Sequence, residues 1–140
     1  MGLNPYYLGD TSALTRRAVA AIARRLTPLL EAGLVAHCTP TDLEAGFSSP
    51  SPIAHMALRQ ERSAWPFVAM DQRVLDRAVE VQDTLAARSE QRGAKIADLL
   101  ISAAAEGSGL VVLHYDHDFD LIASVTHQPV EWIVPAGTVS

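Results

Sequence analysis

Short apolar runs alternate with longer segments of helical periodicity along this chain, and that alternation restricts the folds open to it. The runs are Tyr6-Tyr7-Leu8, residues 34–38, residues 67–70, Leu110-Val111-Val112-Leu113-His114 and residues 130–134. Between them, helical spacing covers residues 18–32, a segment from Thr39, residues 52–62, 71–93, 97–105 and 119–125. In residues 71–93 apolar pairs such as Val74/Leu75 and Ala78/Val79 recur every three to four positions among charges, predicting an amphipathic helix. Residues 97–105 are apolar nearly all round, so that helix should be buried. Gly33 stands where the first helix should end. Strands that alternate with helices favour a parallel sheet covered on both faces, an α/β fold, over an antiparallel sandwich.

At 140 residues the chain is close to the size of one domain, and a single domain over 1–140 is expected. The linker-like stretch Ser48-Ser49-Pro50-Ser51-Pro52 is short enough for a loop within it. A composition of 49% hydrophobic and 19% charged residues supplies a core and excludes disordered, collagen-like and disulfide-scaffold classes. Apolar stretches such as residues 18–23 fall far short of the ~20 residues needed to cross a bilayer, so no membrane partner is expected. No basic segment followed by an apolar one opens the chain, and its one cysteine, Cys38, fits a reducing compartment. A cytoplasmic location is the expectation.

Charge is uneven. Residues 1–70 hold six arginines against five acids, whereas residues 71–140 hold five basic residues against eleven acids. An acidic protein binds nucleic acid only through a local patch, because phosphate neutralisation supplies most non-specific affinity. Arg16, Arg17, Arg24 and Arg25 lie in a stretch without acids and form the candidate RNA-binding patch; a solvated helix face accounts for them equally well.

In open α/β sheets ligands bind beyond the carboxyl ends of the strands, where strand order reverses. Asp10 and Asp116 each follow an apolar strand. Asp98 falls in the first turn of the most apolar helix; taken alone, it reads as an acid favoured by the helix dipole and paired with Lys95. Glu44 fits a capping box with Thr41, but Pro40 suits a first helical position with Thr39 as cap, which leaves the capping to Asp42 and frees Glu44. Four carboxylates at one end of a sheet repel unless a cation sits among them. Oxygen ligands without cysteine point to Mg²⁺ or Mn²⁺, and such a site suits phosphoryl transfer.

Asp10-Thr11-Ser12-Ala13-Leu14, Glu44, Lys95-Ile96-Ala97-Asp98-Leu99-Leu100-Ile101 and His114-Tyr115-Asp116-His117-Asp118-Phe119-Asp120 closely resemble the motifs of PIN-domain ribonucleases. More narrowly, the chain looks like a VapC toxin of a bacterial type II toxin-antitoxin pair, over residues 6–134. The resemblance implies a PIN-like fold with sheet order 3-2-1-4-5, a Mg²⁺- or Mn²⁺-dependent endoribonuclease, inhibition by a cognate VapB antitoxin and a homodimer. It assigns Asp10, Glu44, Asp98 and Asp116 as catalytic acids. Asp10, Asp98 and Asp116 are then metal ligands with Asp118 as an auxiliary one, and Ser12 is the hydroxyl that supports Asp10. One departure is Gly9, where relatives more often carry an aliphatic residue.

Asp120, inside the last short helix, reads as no ligand. His114-x-x-His117 has ligand-like spacing, but two histidines without cysteine read as ordinary strand and loop residues. Met56, Leu58, Trp65 and Phe67 surround the Ser/Pro loop, and part of this cluster is expected at a partner surface. A haloacid-dehalogenase-like phosphatase needs an acid where Ser12 stands, and a receiver domain needs a lysine after a late strand. A binding module holding a structural ion remains the alternative to an enzyme.

Overall fold

The structure is a computed structural model that describes residues 4–140; the reading of the extreme N-terminus falls partly outside them. Its centre is a parallel sheet of β1 (Tyr7–Gly9), β2 (Val35–Ala36), β3 (Val111–His114) and β4 (Val130–Trp132), in the order β2-β1-β3-β4. Helices α1 (Thr11–Leu14) and α2 (Ala20–Glu31) connect β1 to β2. Helices α3 (Thr39–Phe47), α4 (Pro52–Arg62), α5 (Gln72–Ala87) and α6 (Ile96–Ser108) connect β2 to β3, and α7 (Asp118–Thr126) leads to β4.

Both faces of the sheet are covered. On one, Leu8, Ala36 and Val112 meet Leu85, Leu99, Ile101, Phe119 and Ile122 from α5, α6 and α7. On the other, Val35, Leu113 and Ile133 pack with Leu14, Ile22 and Leu26. As its composition predicts, α6 is the central helix, with Leu99 and every residue from Ile101 to Ala105 buried. Among the described residues no helix is long and apolar enough to cross a membrane.

Several expectations are corrected. The strand at residues 67–70 is reduced to one parallel bridge, Phe67 with His37, closed by His37 N–H to Pro66 O and Val68 N–H to His37 O. It lies beside β2, the outer place that the order 3-2-1-4-5 gives a third strand, but the chain leaves at once because Asp71 already caps α5 through the Val74 N–H. Helix α5 ends at Ala87 rather than Gly93, since Ser89 takes a left-handed φ of 58° and Glu90 N–H returns to Leu85 O. The cap of α3 is Cys38, not Thr39; the Thr41 hydroxyl accepts from Cys38 N–H and donates to Cys38 O. Asp42 instead accepts from Arg62 and His37. Gly33 does end α2, at φ 71°. Gly9 has a packing reason: a Cβ there would stand 3.0 Å from Val35 and 3.2 Å from Leu14.

Candidate active site

Strand order reverses at β1 and β3, so the chain leaves their carboxyl ends in opposite directions and opens a crevice between them. Asp10 follows β1 there and caps α1, its Oδ2 accepting the Ser12 N–H at 2.9 Å. Its other oxygen, Oδ1, is buried without a hydrogen-bond partner, and the residue is 3% exposed. Ser12 supports this corner through its backbone N–H, and its side chain also favours the charged form of Asp10. The hydroxyl accepts from Tyr115 N–H at 2.8 Å and so ties the end of β3 to α1.

Asp98, in the first turn of α6, is 5% exposed, and its Oδ2 also lacks a hydrogen-bond partner. Desolvation, then the neighbouring Asp10 charge, push its carboxyl up to about 8. Asp10 is likewise raised, by burial first and with a contribution from Glu44. These mutual effects mark Asp10, Glu44 and Asp98 as one electrostatic unit. Glu44 is held by the Thr11 hydroxyl, which donates to its Oε1 at 2.9 Å.

Asp116 and Asp118 complete the group from the turn after β3. Asp98, Asp116 and Asp118 offer carboxylate oxygens within 4.8 Å of one another; Asp10 and Glu44 stand outside that set and act through their charge, Asp10 on Asp98 and Glu44 on Asp10. Asp116 Oδ1 accepts the Asp118 N–H at 2.9 Å. Lys95, the chain's one lysine, places Nζ 3.0 Å from Asp118, 3.3 Å from Asp116 and 3.9 Å from Asp98. Its bond to Asp118 raises its pKa well above the usual lysine value. Desolvation opposes ionisation of Asp116, but the Asp118 N–H and Lys95 outweigh it and hold that carboxyl below its usual range.

The donors are all oxygen, two of them buried without partners, and an ammonium already lies among three of the carboxylates. Such a set fits a hard divalent cation. The histidines stay outside it. His114 is fully buried, and desolvation lowers its pKa to about 4; its Nδ1 accepts from Asp116 N–H. His117 is largely exposed, and both rings pack against Trp132. Asp120 accepts from Trp132 Nε1, consistent with its reading as no ligand.

The arginines separate. Arg17 pairs with Glu61, and Arg25 pairs with Glu131 while donating to the Trp132 and Ile133 carbonyls. Arg16 donates to Ser12 O and lies over the Tyr115 ring, and Arg24 is exposed. Of the apolar cluster, Met56 and Phe67 are exposed, whereas Leu58 is half-buried and Trp65 packs into the α2 side of the core. Sequence reasoning passed over Thr11 and Trp132 and gave Lys95 only a pairing with Asp98. The available signal for Lys95 was a lone lysine one turn before an acid in an apolar helix.

Residues 7–125 match the PIN domain family. The chain is a PIN-domain protein. Within the family, this PIN domain is 52% identical to Ribonuclease VapC51 of Mycobacterium tuberculosis over 133 residues, 95% of this chain and 96% of the relative. It is 46% identical to Ribonuclease VapC21 of the same species over 94% of its length and 96% of the relative. Among solved structures, DNA-bound VapBC from Salmonella typhimurium superposes with a TM-score of 0.73 at 15% identity, over 94% of this chain and 100% of that one. That likeness places the fold, including the sheet that carries Asp10 and Asp116.

Proposed function

We propose that this PIN domain is the toxin of a bacterial type II toxin-antitoxin pair, a cytoplasmic endoribonuclease that hydrolyses RNA, tRNA or rRNA, with Mg²⁺ or Mn²⁺. The observation that carries this reading is the pair of buried, unpartnered carboxylate oxygens of Asp10 and Asp98 at the sheet's switch point. Asp10, Asp98 and Asp116, with Asp118 as auxiliary, are the residues to hold the metal. When bound, a divalent cation supplies Lewis-acid polarisation of a phosphoryl oxygen. Glu44 keeps Oε1 on Thr11 and uses Oε2 to orient the attacking water and accept its proton. In-line attack then leaves a 5′-phosphate and a 3′-hydroxyl.

The relatives' names, Ribonuclease VapC, support the activity, and the VapBC complexes among solved structures support a VapB partner. So does an apolar groove of about 500 Å³ beside Glu44, lined by Leu43, Met70, Leu75, Ile96 and Leu100. Exposed Phe47, Ile53 and Met56 on α3 and α4 support a homodimer. The test is cleavage of total RNA by the purified protein. It is expected to stop with EDTA and in Asp98→Asn; cleavage at full rate in either case refutes the assignment and leaves a binding module.

A further inference from the structure

Beside the acid centre lies a second, chemically different cleft. It has a volume of about 320 Å³ and is lined by Tyr115, Asp116, His117, Trp132 and the turn at Ala136, Gly137 and Val139. Asp116 belongs to both, so a ligand in this cleft is continuous with one at the acids. Its wall is aromatic. The Trp132 ring lies 5.3 Å from Tyr115 and 4.8 Å from His117, near edge-on to each. Trp132 is fixed in orientation by its Nε1–H bond to Asp120, and Tyr115 by hydroxyl bonds to Val139 N–H and O. The His117 side chain is 80% exposed.

One cation stands at the rim. Arg16 lies over the Tyr115 ring at 5.1 Å, whereas Arg25 is already paired with Glu131 and anchored on the Trp132 and Ile133 carbonyls. One member of the candidate basic patch is thus placed at the edge of this cleft. Fixed aromatic rings beside a guanidinium are how proteins hold unpaired bases, because every base offers a π-face and the cation attracts the phosphates. An apolar peptide side chain needs neither the arginine nor continuity with Asp116.

We propose that this cleft is a base-stacking subsite, in which His117 and Trp132 hold an unpaired nucleobase of single-stranded RNA adjacent to the phosphate presented to the acids. The inference rests on the ribonuclease reading and adds to it the side chains that receive a base. A duplex base, already stacked on its neighbours, does not enter; a loop or splayed strand does.

Trp65 is the only other tryptophan, so in a Trp65→Phe background Trp132 reports its own surroundings. Asp98→Asn is added to prevent hydrolysis, and the protein is titrated with a twelve-nucleotide oligo(A) RNA and with an abasic ribose-phosphate chain of the same length. Oligo(A) is expected to quench Trp132 fluorescence and to bind at least about fivefold more tightly than the abasic chain. His117→Ala, an exposed position that spares the fold, is expected to shrink that preference, and Trp132→Leu to abolish it. Equal affinity for the two chains, or RNA binding without a change in Trp132 fluorescence, overturns the subsite while RNA cleavage by the wild type still upholds the nuclease. If neither chain binds and the wild type cleaves no RNA, both readings fall. Quenching by a protein partner but not by RNA also overturns the proposal.

Discussion

The inner and outer halves of the acid cluster differ in how they tolerate their charge. Asp10 and Asp98 are buried, each with one oxygen that nothing in the protein satisfies, and both are pushed toward protonation by desolvation and by their neighbours. Asp116 and Asp118 are half-exposed and share the Lys95 ammonium, and Asp116 stays ionised. Burying an unpaired carboxylate costs several kcal/mol, so the inner pair is a destabilising feature that only a cation offsets. The outer pair is already compensated. The difference teaches that affinity for a metal should originate in the inner acids, while the outer acids and Lys95 regulate access to it.

The sharpest break of this comparison is Asp98→Asn. It keeps the shape and removes the charge, and its amide can donate to the carboxylates around it. RNA cleavage is expected to fall by about 10³-fold, the loss of several kcal/mol of transition-state stabilisation. The metal-free variant should melt higher than the wild type, as active-site charge often trades stability for function. Asp118→Asn should lower cleavage far less and leave the melting temperature nearly unchanged. A melting temperature for Asp98→Asn below that of the wild type would contradict the claim that the inner acids carry the unfavourable charge.

Metal itself is the next probe. At about 100 times its Kd, Mn²⁺ adds about 2.7 kcal/mol to stability, roughly 5–10 °C in melting temperature for a chain of this size. The shift should be present in the wild type, reduced in Asp118→Asn and lost in Asp98→Asn, as read by differential scanning calorimetry. An equal shift in all three places the ion elsewhere.

Lys95 tests the outer half. Its ammonium pairs with Asp116 and Asp118 in the absence of metal, so Lys95→Gln should lower the metal-free melting temperature slightly and tighten Mn²⁺ binding, by up to about tenfold, because partly exposed pairs are each worth ~1 kcal/mol or less. Isothermal titration separates this from its opposite. Weakened Mn²⁺ binding would mean that Lys95 supports the ion rather than yielding to it.

How much of this was readable in the sequence differs from part to part. Strand-helix alternation fixed the parallel sheet, because a crossover connection leaves its period in the apolar pattern. The position of acids after strands located Asp10 and Asp116. Asp98, read alone, suggested a dipole-stabilised acid, since the first turn of any helix favours one. What makes it different is burial within reach of the charge of Asp10, some ninety residues away, and that is set by packing alone. The lost strand at residues 67–70 has the same origin: its β-rich letters are real, but the cap at Asp71 ends the run too early for a ladder. Lys95 and Trp132 were hidden because their roles lie in distances across the fold.

The smallest effect concerns Thr11, the hydroxyl that fixes Glu44 on the inner side. Thr11→Val conserves shape and β-branching but removes the donor to Oε1. Thr11 is half-buried, so water can replace the hydroxyl, and a hydrogen bond of this kind contributes about 1 kcal/mol. Cleavage should therefore fall about fivefold. The loss should be confined to kcat, with KM and the Mn²⁺-induced rise in melting temperature unchanged, because Glu44 is assigned to the water rather than to the ion. A parallel loss of Mn²⁺ affinity would move Glu44 into the ligand set and extend the inner half from two acids to three.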